Sequence, residues 1–411
     1  RFVDRVNLHW LEEYHADGYR FDLSKGFTQT NNPDNVGAWN NYDGSRVGLL
    51  QRMADVIWTD FPDAYLILEH FAANNEEQEL SDYGMMLWGN MNHAYNELTM
   101  GWVATSSFDG ISYKERFFND PHLVGYMESH DEERLMFRNS AFGNTSNADH
   151  NTQNAETALQ RGEMAAALFF TVPGPKMVWQ FGELGYDEEL NDCRLCPKPL
   201  HWEYYNNPAR NHLYMVYKAL IDLKLDNEAF QTDNFAIQTT GVAKQLRLLD
   251  ESMNVVVIAN GDVIAQDIIP PFPAAGTYYD YFSGESIEVV DAFATFNMTP
   301  GEFHIYTTEP LPTPELVTGI GDFDQAVYQI KNYPNPFNQS LNITYHLPKT
   351  GKVRLSIVDI LGREVAVLQN GIEQAGEQII SWQASSLESG TYFFVLETED
   401  GKATGKLNKV K

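Results

Sequence analysis

The feature that most restricts the fold is a series of short apolar segments that alternate with helical segments through residues 1–229. Four segments are predicted to be strands: Tyr19–Leu23, Ala64–Leu68, His122–Met127 and Lys176–Phe181. Apolar residues recur at helical spacing in three others: residues 1–16, 47–58 and 163–171. Strands that alternate with helices pair in parallel and are covered on both faces. The pattern therefore predicts an α/β fold.

Acidic side chains stand where these strands end. Asp22 and Glu69 close the first two strands, and the pair His130-Asp131 follows the third. In α/β barrels the active residues lie at the C-terminal ends of the strands. Cleavage of a glycosidic bond with retention needs a carboxylate nucleophile and a carboxyl acid/base, about 5–5.5 Å apart. One Asp after a strand is more often a turn former or a helix cap, so each of these residues alone is weak evidence for such a site.

The rest of the chain predicts β structure. Residues 230–309 lose helical spacing and show short strands between Gly and Pro, which predicts a small antiparallel β-sandwich domain. Alternate prolines open residues 310–324, the predicted linker. Residues 325–411 form a further β module, with alternating apolar and polar residues at 353–357 and a predicted hairpin turn at Asp400-Gly401.

Charge and hydropathy exclude two kinds of partner. The chain has 57 acidic and 28 basic residues and a net charge of −29. Such a surface repels phosphate backbones, so nucleic acid is not expected as a partner. No run approaches the ~18 apolar residues that a membrane span needs, so no span is expected either.

The two cysteines, Cys193 and Cys196, enclose only two residues. A zinc site needs a second pair or nearby His ligands, and neither is present. A local disulfide in an exported loop and two unpaired thiols without a role are the alternatives, and the unpaired thiols are favoured.

Four segments resemble the motifs of the α-amylase family, glycoside hydrolase family 13. Gly18–Lys25 resembles the strand that carries an Arg two residues before the nucleophilic Asp. Leu66–His70 resembles the acid/base strand, and Met127–Asp131 the third carboxylate motif. Phe181–Gly185 resembles the last strand of the same barrel. The resemblance implies a (β/α)8 TIM barrel, of which residues 1–229 supply the C-terminal part, about strands 4–8.

The resemblance also implies a role for each matching residue. Asp22 becomes the nucleophile, Glu69 the general acid/base and Asp131 the stabiliser of the distorted sugar. Substrate-binding roles fall to three further residues: Arg20, Lys25 and His130. Arg20 holds Asp22 ionised in this interpretation. Alternatively, Arg20 pairs with an unrelated surface acid, and His130 is a buried core histidine.

The chain departs from the family pattern in two places. The family's first motif is absent and is expected before Arg1, so we expect an N-terminally truncated chain that is poorly active alone. Gly26 replaces a His found in many amylases, so no cofactor is expected with certainty and calcium is one possibility. Three tryptophans are candidates for stacking on sugar rings, although a core role is favoured for each: Trp39, Trp88 and Trp102.

The C-terminal module has a resemblance of its own. Asn332–Asn338 resembles the opening of the sorting domain that the type IX secretion system recognises, and Leu355–Val365 and Ser389–Phe393 fit its later strands. The resemblance implies an immunoglobulin-like β-sandwich, the type IX secretion machinery as a partner, and a secreted or cell-surface location. An ordinary immunoglobulin-like spacer is the alternative.

Together these features predict a retaining glycoside hydrolase that cleaves α-glucosidic bonds in starch-like polysaccharides or oligosaccharides. An α-glucan transferase, such as a branching enzyme, shares the same three carboxylates and is the alternative. A surface glycan-binding protein without catalysis is the second alternative, although a binder has no need of an acid/base Glu.

Overall fold

The computed structural model describes residues 2–190, 194–316, 328, 330–359, 364–384, 387, 389–398 and 402–410. They divide into two compact units, Arg1–Pro199 with Val216–Pro314, and Leu200–Met215 with Glu315–Lys411. Cys193, part of the predicted linker and the predicted Asp400-Gly401 turn lie outside the described residues. The predicted domain boundaries stay predictions.

The strands near the start of the larger unit form one sheet in the order β1-β2-β3-β4-β5. They are β1 (Gly18–Phe21), β2 (Tyr65–Leu68), β3 (Met86–Asn90), β4 (Leu123–Tyr126) and β5 (Lys176–Met177). Every neighbouring pair is parallel, as the strand–helix alternation predicts. The sheet corresponds to roughly half of an eight-stranded barrel.

Two strands differ from the sequence prediction. β3 is an additional strand, and its Gly89 and Asn90 have low strand propensity, which hides it in the sequence. β5 ends at Met177, so the predicted strand through Phe181 is wrong over its last four residues. The chain leaves the sheet there, and Phe181 has the left-handed backbone angle φ 59°.

Helices alternate with these strands along the chain. They are α1 (Phe2–Tyr14), α2 (Gly44–Asp60), α3 (Asn74–Asp82), α4 (Asn92–Met100), α5 (Leu135–Phe142), α6 (Ala155–Phe170) and α7 (Pro208–Asp226). Asp43 caps α2 by accepting from the amides of Ser45 and Arg46. One face of α2 is buried at helical spacing and packs with the apolar residues of β2 and β3. The three helices predicted from the sequence all form.

The second half of the larger unit is antiparallel. Its strands are β6 (Phe235–Gln238), β7 (Ala243–Leu248), β8 (Val255–Asn260), β9 (Gln266–Ile268), β10 (Gly276–Asp280), β11 (Ser286–Val289), β12 (Phe296–Met298) and β13 (Phe303–Thr307). Six of them form one sheet, β11-β10-β13-β8-β7-β6, while β12 pairs with β9. Every residue of the central strand β8 is buried, as expected for a strand with covered faces.

The smaller unit is a two-sheet β structure. Its strands are β14 (Lys331–Tyr333), β15 (Ser340–Leu347), β16 (Gly351–Asp359), β17 (Glu364–Glu373), β18 (Gly376–Gln383), β19 (Gly390–Thr398) and β20 (Lys402–Lys409). The sheets have the orders β14-β15-β18 and β17-β16-β19-β20. Alternate residues of β15 and β16 enter a common apolar core, which confirms the predicted alternation at 353–357. No helix among the described residues is long and apolar enough to cross a membrane.

A buried arginine ties the two halves of the larger unit together. Arg161 of α6 has no exposed surface. Its guanidinium donates to the carbonyls of Leu98 and Thr99 at 2.7 and 2.8 Å, and to those of Gly261 and Asp262 at 2.6 and 3.2 Å. Burial lowers the pKa of Arg161 to about 10. One side chain therefore satisfies carbonyls at the end of α4 and in the loop after β8.

Replacing Arg161 with methionine should destabilise the protein by about 3 kcal/mol or more, because buried carbonyls lose their donors. Denaturant unfolding of the purified variant measures the change. Arg52→Met is the matched control, since Arg52 also lies on a helix but is half exposed and pairs with Asp4. That surface pair is worth less than about 1 kcal/mol. Equal losses in the two variants would contradict the assigned role of Arg161.

Candidate active site

Strand register brings the first two predicted carboxylates together. Phe21 pairs with Leu68 across β1 and β2, and the amide of Glu69 donates to the carbonyl of Phe21 at 3.0 Å. Asp22 and Glu69 are the next residues along their strands. Both therefore leave the same edge of the sheet, at the carboxyl ends of parallel strands.

Arg20 lies between these two carboxylates. Its Nη1 is 2.6 Å from Oδ1 of Asp22, and its Nη2 is 2.8 Å from Oε2 of Glu69. The guanidinium carbon lies 4.0 Å from the ring centre of Trp88, which is buried beneath it on β3. Arg20 thus pairs with both predicted catalytic acids, and the alternative of an unrelated surface acid is wrong.

The surroundings favour ionised Asp22. The hydrogen bond from Arg20 is the main cause that lowers the pKa of Asp22, against a smaller opposing effect of burial. The nearby Glu69 and His130 lower it further. The side chain of Asp22 is 77% exposed, whereas that of Glu69 is 11% exposed. An open, ionised carboxylate therefore stands beside a buried one.

Glu69 is held by backbone as well as by Arg20. The amide of Leu23 donates to its Oε2 at 2.8 Å. The amide of Ser24 donates to its carbonyl oxygen, also at 2.8 Å. The turn after Asp22 therefore folds back over the end of β2 and fixes the carboxyl group from one side.

The third predicted carboxylate lies on the loop after β4. Nε2 of His130 is 3.2 Å from Oδ2 of Asp131, and Nη2 of Arg194 is 2.9 Å from Oδ1. The His130 ring packs between Trp88 and Trp179, with ring centres 6.2 and 5.7 Å away. Its side chain is 42% exposed, so the alternative of a buried core histidine is wrong.

Lys25, in the turn after β1, contacts residues of two different loops. Its Nζ donates to Oδ1 of Asn40 at 2.7 Å and to the carbonyl of Phe71 at 3.3 Å. Both contacts tie together the loops that follow β1 and β2. The predicted substrate-binding role of Lys25 stays a prediction.

Several residues at this edge were not predicted from the sequence. Glu132 accepts hydrogen bonds from Ser129 and from Asn90 at the end of β3. Burial raises the pKa of Glu132, and the charge of Asp131 adds to the effect. Glu132 directly follows the pair His130-Asp131 in the sequence. That position is the signal from which Glu132 could have been predicted as a site residue.

A cavity of about 200 Å³ lies beside Asp131. It is lined by charged and apolar side chains that include Arg134, Trp179, Tyr186, Leu190, Arg194 and Lys198. Cys196, on the same wall, is disulfide-bonded, so the favoured prediction of two unpaired thiols is wrong. Cys193, the chain's other cysteine, lies outside the described residues.

The three candidate tryptophans have different surroundings. Trp88 is buried under Arg20, which agrees with the favoured core role. Trp102 is 43% exposed, and its indole N–H donates to the carbonyl of Phe142 at 3.1 Å. Trp39 is partly buried near Gly26. Stacking of sugars on Trp39 or Trp102 stays a prediction.

Metal ligands do not converge in the part of the chain that the structure describes. No three His, Cys, Asp or Glu side chains there are placed to hold an ion. The calcium expectation stays a prediction.

Curated proteins similar to the chain are 1,4-α-glucan branching enzymes. It is 23% identical to the one from Nitrosococcus oceani over 310 residues, which are 68% of this chain and 39% of that protein. It is 22% identical to the one from Oceanobacillus iheyensis over 303 residues, or 68% of this chain and 46% of that protein. The chain thus spans less than half the length of these relatives.

Solved structures agree with the fold. The α-amylase from Geobacillus thermoleovorans, complexed with acarbose, aligns with a TM-score of 0.53 at 14% identity, over 74% of this chain and 63% of that one. AmyP in complex with maltose aligns with a TM-score of 0.55 at 13% identity, over 77% and 68% of the two chains. At such identities the likeness concerns the fold alone.

The half-barrel sheet and its strand-end carboxylates give the larger unit the fold of an α/β-barrel protein. The four motifs, the curated relatives and the solved structures above together support an enzyme of the α-amylase family, glycoside hydrolase family 13.

The end of the chain matches a protein family of its own. Residues 331–409 match the family described as secretion system C-terminal sorting domain. The predicted type IX sorting domain is therefore confirmed, and the alternative of an ordinary spacer is wrong. A sorting domain of this kind implies export of the protein.

Proposed function

We propose that the strand-end cluster is the active centre of a retaining enzyme that acts on α-glucans. Asp22 is the nucleophile, Glu69 the general acid/base and Asp131 the residue that stabilises the distorted sugar. The observation that carries the proposal is Arg20, which pairs with Asp22 and Glu69 at the ends of adjacent parallel strands. Retaining glycosidases need two carboxyl groups at such close quarters.

The two carboxyl groups take different steps in the proposed reaction. Ionised Asp22 is open to attack the anomeric carbon, while Glu69 donates a proton to the departing glycosidic oxygen. A covalent glycosyl ester on Asp22 results. Glu69, now ionised, then takes a proton from the incoming hydroxyl as that oxygen displaces Asp22. His130 and Asp131, on the loop after β4, hydrogen-bond to sugar hydroxyls in this proposal.

The incoming hydroxyl decides between two reactions. Water gives hydrolysis of starch-like glucans, the function we favour because the cluster is open to solvent at Asp22. A hydroxyl of a second glucan gives transfer, and the curated relatives, which are branching enzymes, support this second candidate.

One assay on soluble starch separates these reactions. If new reducing ends form as fast as starch is consumed, the result supports hydrolysis. If chain lengths are redistributed and no new reducing ends form, the result supports transfer. Binding of starch with neither change would show a glycan-binding protein and would overturn the proposed catalysis.

The remaining proposals concern organisation and export. We propose that residues 1–229 form the C-terminal part of the catalytic barrel, about strands 4–8, and residues 230–309 its β domain. Residues 310–324 are the proposed linker and 325–411 the sorting module. The type IX secretion machinery is the proposed partner of that module, and the cell surface or the medium is the proposed location of the protein.

Deleting residues 331–409 should retain the protein inside the producing cell, because the matched sorting domain is removed. Fractionation and immunoblotting should show the signal move almost completely from the medium and cell surface to the interior. The untruncated protein in a strain lacking type IX secretion is the control, and it should be retained in the same way. Unchanged export after the deletion would contradict the proposed address.

A further inference from the structure

Two residues other than glycine adopt left-handed backbone conformations beside the proposed active centre. Leu23 follows Asp22 with φ 39°, and Phe71 lies two residues after Glu69 with φ 50°. Such conformations cost about 1–3 kcal/mol each and persist only where the surroundings hold them. At Leu23 the conformation accompanies the hydrogen bond from its amide to the Glu69 carboxylate. Contacts with neighbouring residues must therefore hold the turn at Leu23 in place.

The next residue in the turn is anchored below the surface. Oγ of Ser24 lies 2.8 Å from Nδ1 of His70 and 3.1 Å from the carbonyl oxygen of Glu69. Nε2 of His70 lies 2.9 Å from Oε1 of Glu76 at the start of α3. Ser24, His70 and Glu76 have no exposed surface, so water does not compete for these contacts.

A buried arginine completes the chain of contacts. Arg46 of α2 places Nε and Nη2 each 2.6 Å from the two carboxylate oxygens of Glu76. It also donates to the carbonyl of Lys25 at 2.9 Å, next to Ser24. Burial alone raises the pKa of Glu76, but hydrogen bonds from His70 and Arg46 lower it below its usual value. Ionised Glu76 accepts only, so Nε2 of His70 carries a proton.

We propose that Ser24, His70, Glu76 and Arg46, here called the buried brace, are positioning residues that hold the Leu23 amide on the carboxyl group of Glu69. The brace connects β1, β2, α2 and α3, and therefore fixes both strand ends relative to each other. Its members act through Glu69 and do not touch the substrate. This inference rests on the acid/base role proposed for Glu69.

Ser24→Ala tests the brace, because it removes the hydroxyl that links the turn to His70. On starch, kcat should fall about 10–100-fold while KM changes less than about threefold. A displaced acid group stabilises the transition state less well, whereas it contributes little to substrate binding. The first turnover of an aryl glycoside with a good leaving group should fall much less, because that oxygen needs no proton. Ser112→Ala, at another fully buried serine, is the control and should keep kcat.

A second comparison isolates backbone strain. Glycine adopts the left-handed conformation readily, so the turn needs less support in a Leu23→Gly background. There Ser24→Ala should lower kcat by less than about threefold. If Ser24→Ala alone does not fold, Ser24→Cys takes its place under the same criteria, because cysteine is only slightly larger than serine and its S–H is a weak donor.

The outcomes distinguish the two proposals. Normal kcat in a folded Ser24 variant, or an equal loss with Leu23 and Gly at position 23, would overturn the brace. A uniform loss on starch and on the activated glycoside would also overturn it. If instead Glu69→Gln keeps full turnover, the acid/base assignment has failed, whatever the Ser24 variants show.

Discussion

Glu69→Gln should lower kcat on starch by about 10²–10⁴-fold and leave glucan affinity nearly unchanged. Glutamine has the size of glutamate and its amide oxygen can still accept from the Leu23 amide, but it cannot donate a proton to the leaving oxygen. Turnover by the secreted enzyme gives kcat, and calorimetry with a maltooligosaccharide gives affinity.

Glu115→Gln is the matched control, because Glu115 is an exposed glutamate away from the cluster. It should retain full activity. Unchanged turnover of starch by Glu69→Gln would remove Glu69 from the acid/base role. If circular dichroism shows that Glu69→Gln does not fold, Glu69→Asp replaces it in the comparison with the wild type.

Asp22→Gly should lower kcat on starch by about 10⁴-fold or more, because no nucleophile remains to form the glycosyl ester. The space left by the carboxylate opens to solvent, since the Asp22 side chain is already 77% exposed. Azide should enter it and attack the anomeric carbon of an activated α-glucosyl substrate. The expected product is the β-glucosyl azide, identified by NMR.

Asp63→Asn, at an exposed position before β2, is the control and should behave as the wild type without azide. Rescue by azide in Asp131→Gly, with none in Asp22→Gly, would exchange the roles of these two residues.

The adjacency of Asp22 and Glu69 follows from sequence reasoning. Each stands at the end of a strand, and parallel strands put such residues on one edge of a sheet. The partnership of Arg20 with Asp22 also follows, since residues two apart in a strand share a face. Its second pairing, with Glu69, depends on register between β1 and β2, which a local pattern does not specify.

Contacts between distant segments account for what the sequence did not predict. Arg194 meets Asp131 across 63 positions, and Arg46 meets Glu76 across 30. No local periodicity links such residues, because the two partners of each pair lie on different segments of the fold that are far apart in the sequence. The strand at Met86–Asn90 was not predicted for a local reason, because its Gly and Asn residues have low strand propensity. The disulfide of Cys196 was missed, and unpaired thiols were favoured, because cysteine spacing alone is compatible with bonded and with free thiols.

The sorting domain was predictable for a different reason. Its turn and strand sequences recur in a recognisable order along the chain, and residues 331–409 match that family. Recognition of an order of motifs needs no three-dimensional contact, whereas the geometry of the active centre does.

Covalent trapping tests the central claim most directly. A fluorinated α-glucosyl fluoride, incubated with the enzyme and followed by digestion and mass spectrometry, should leave one glycosyl group on the peptide that contains Asp22, because a fluorosugar slows release of the ester more than its formation. An adduct on the peptide that contains Glu69 or Asp131, or turnover that leaves no adduct on any peptide, would contradict the assignment of Asp22 as the nucleophile.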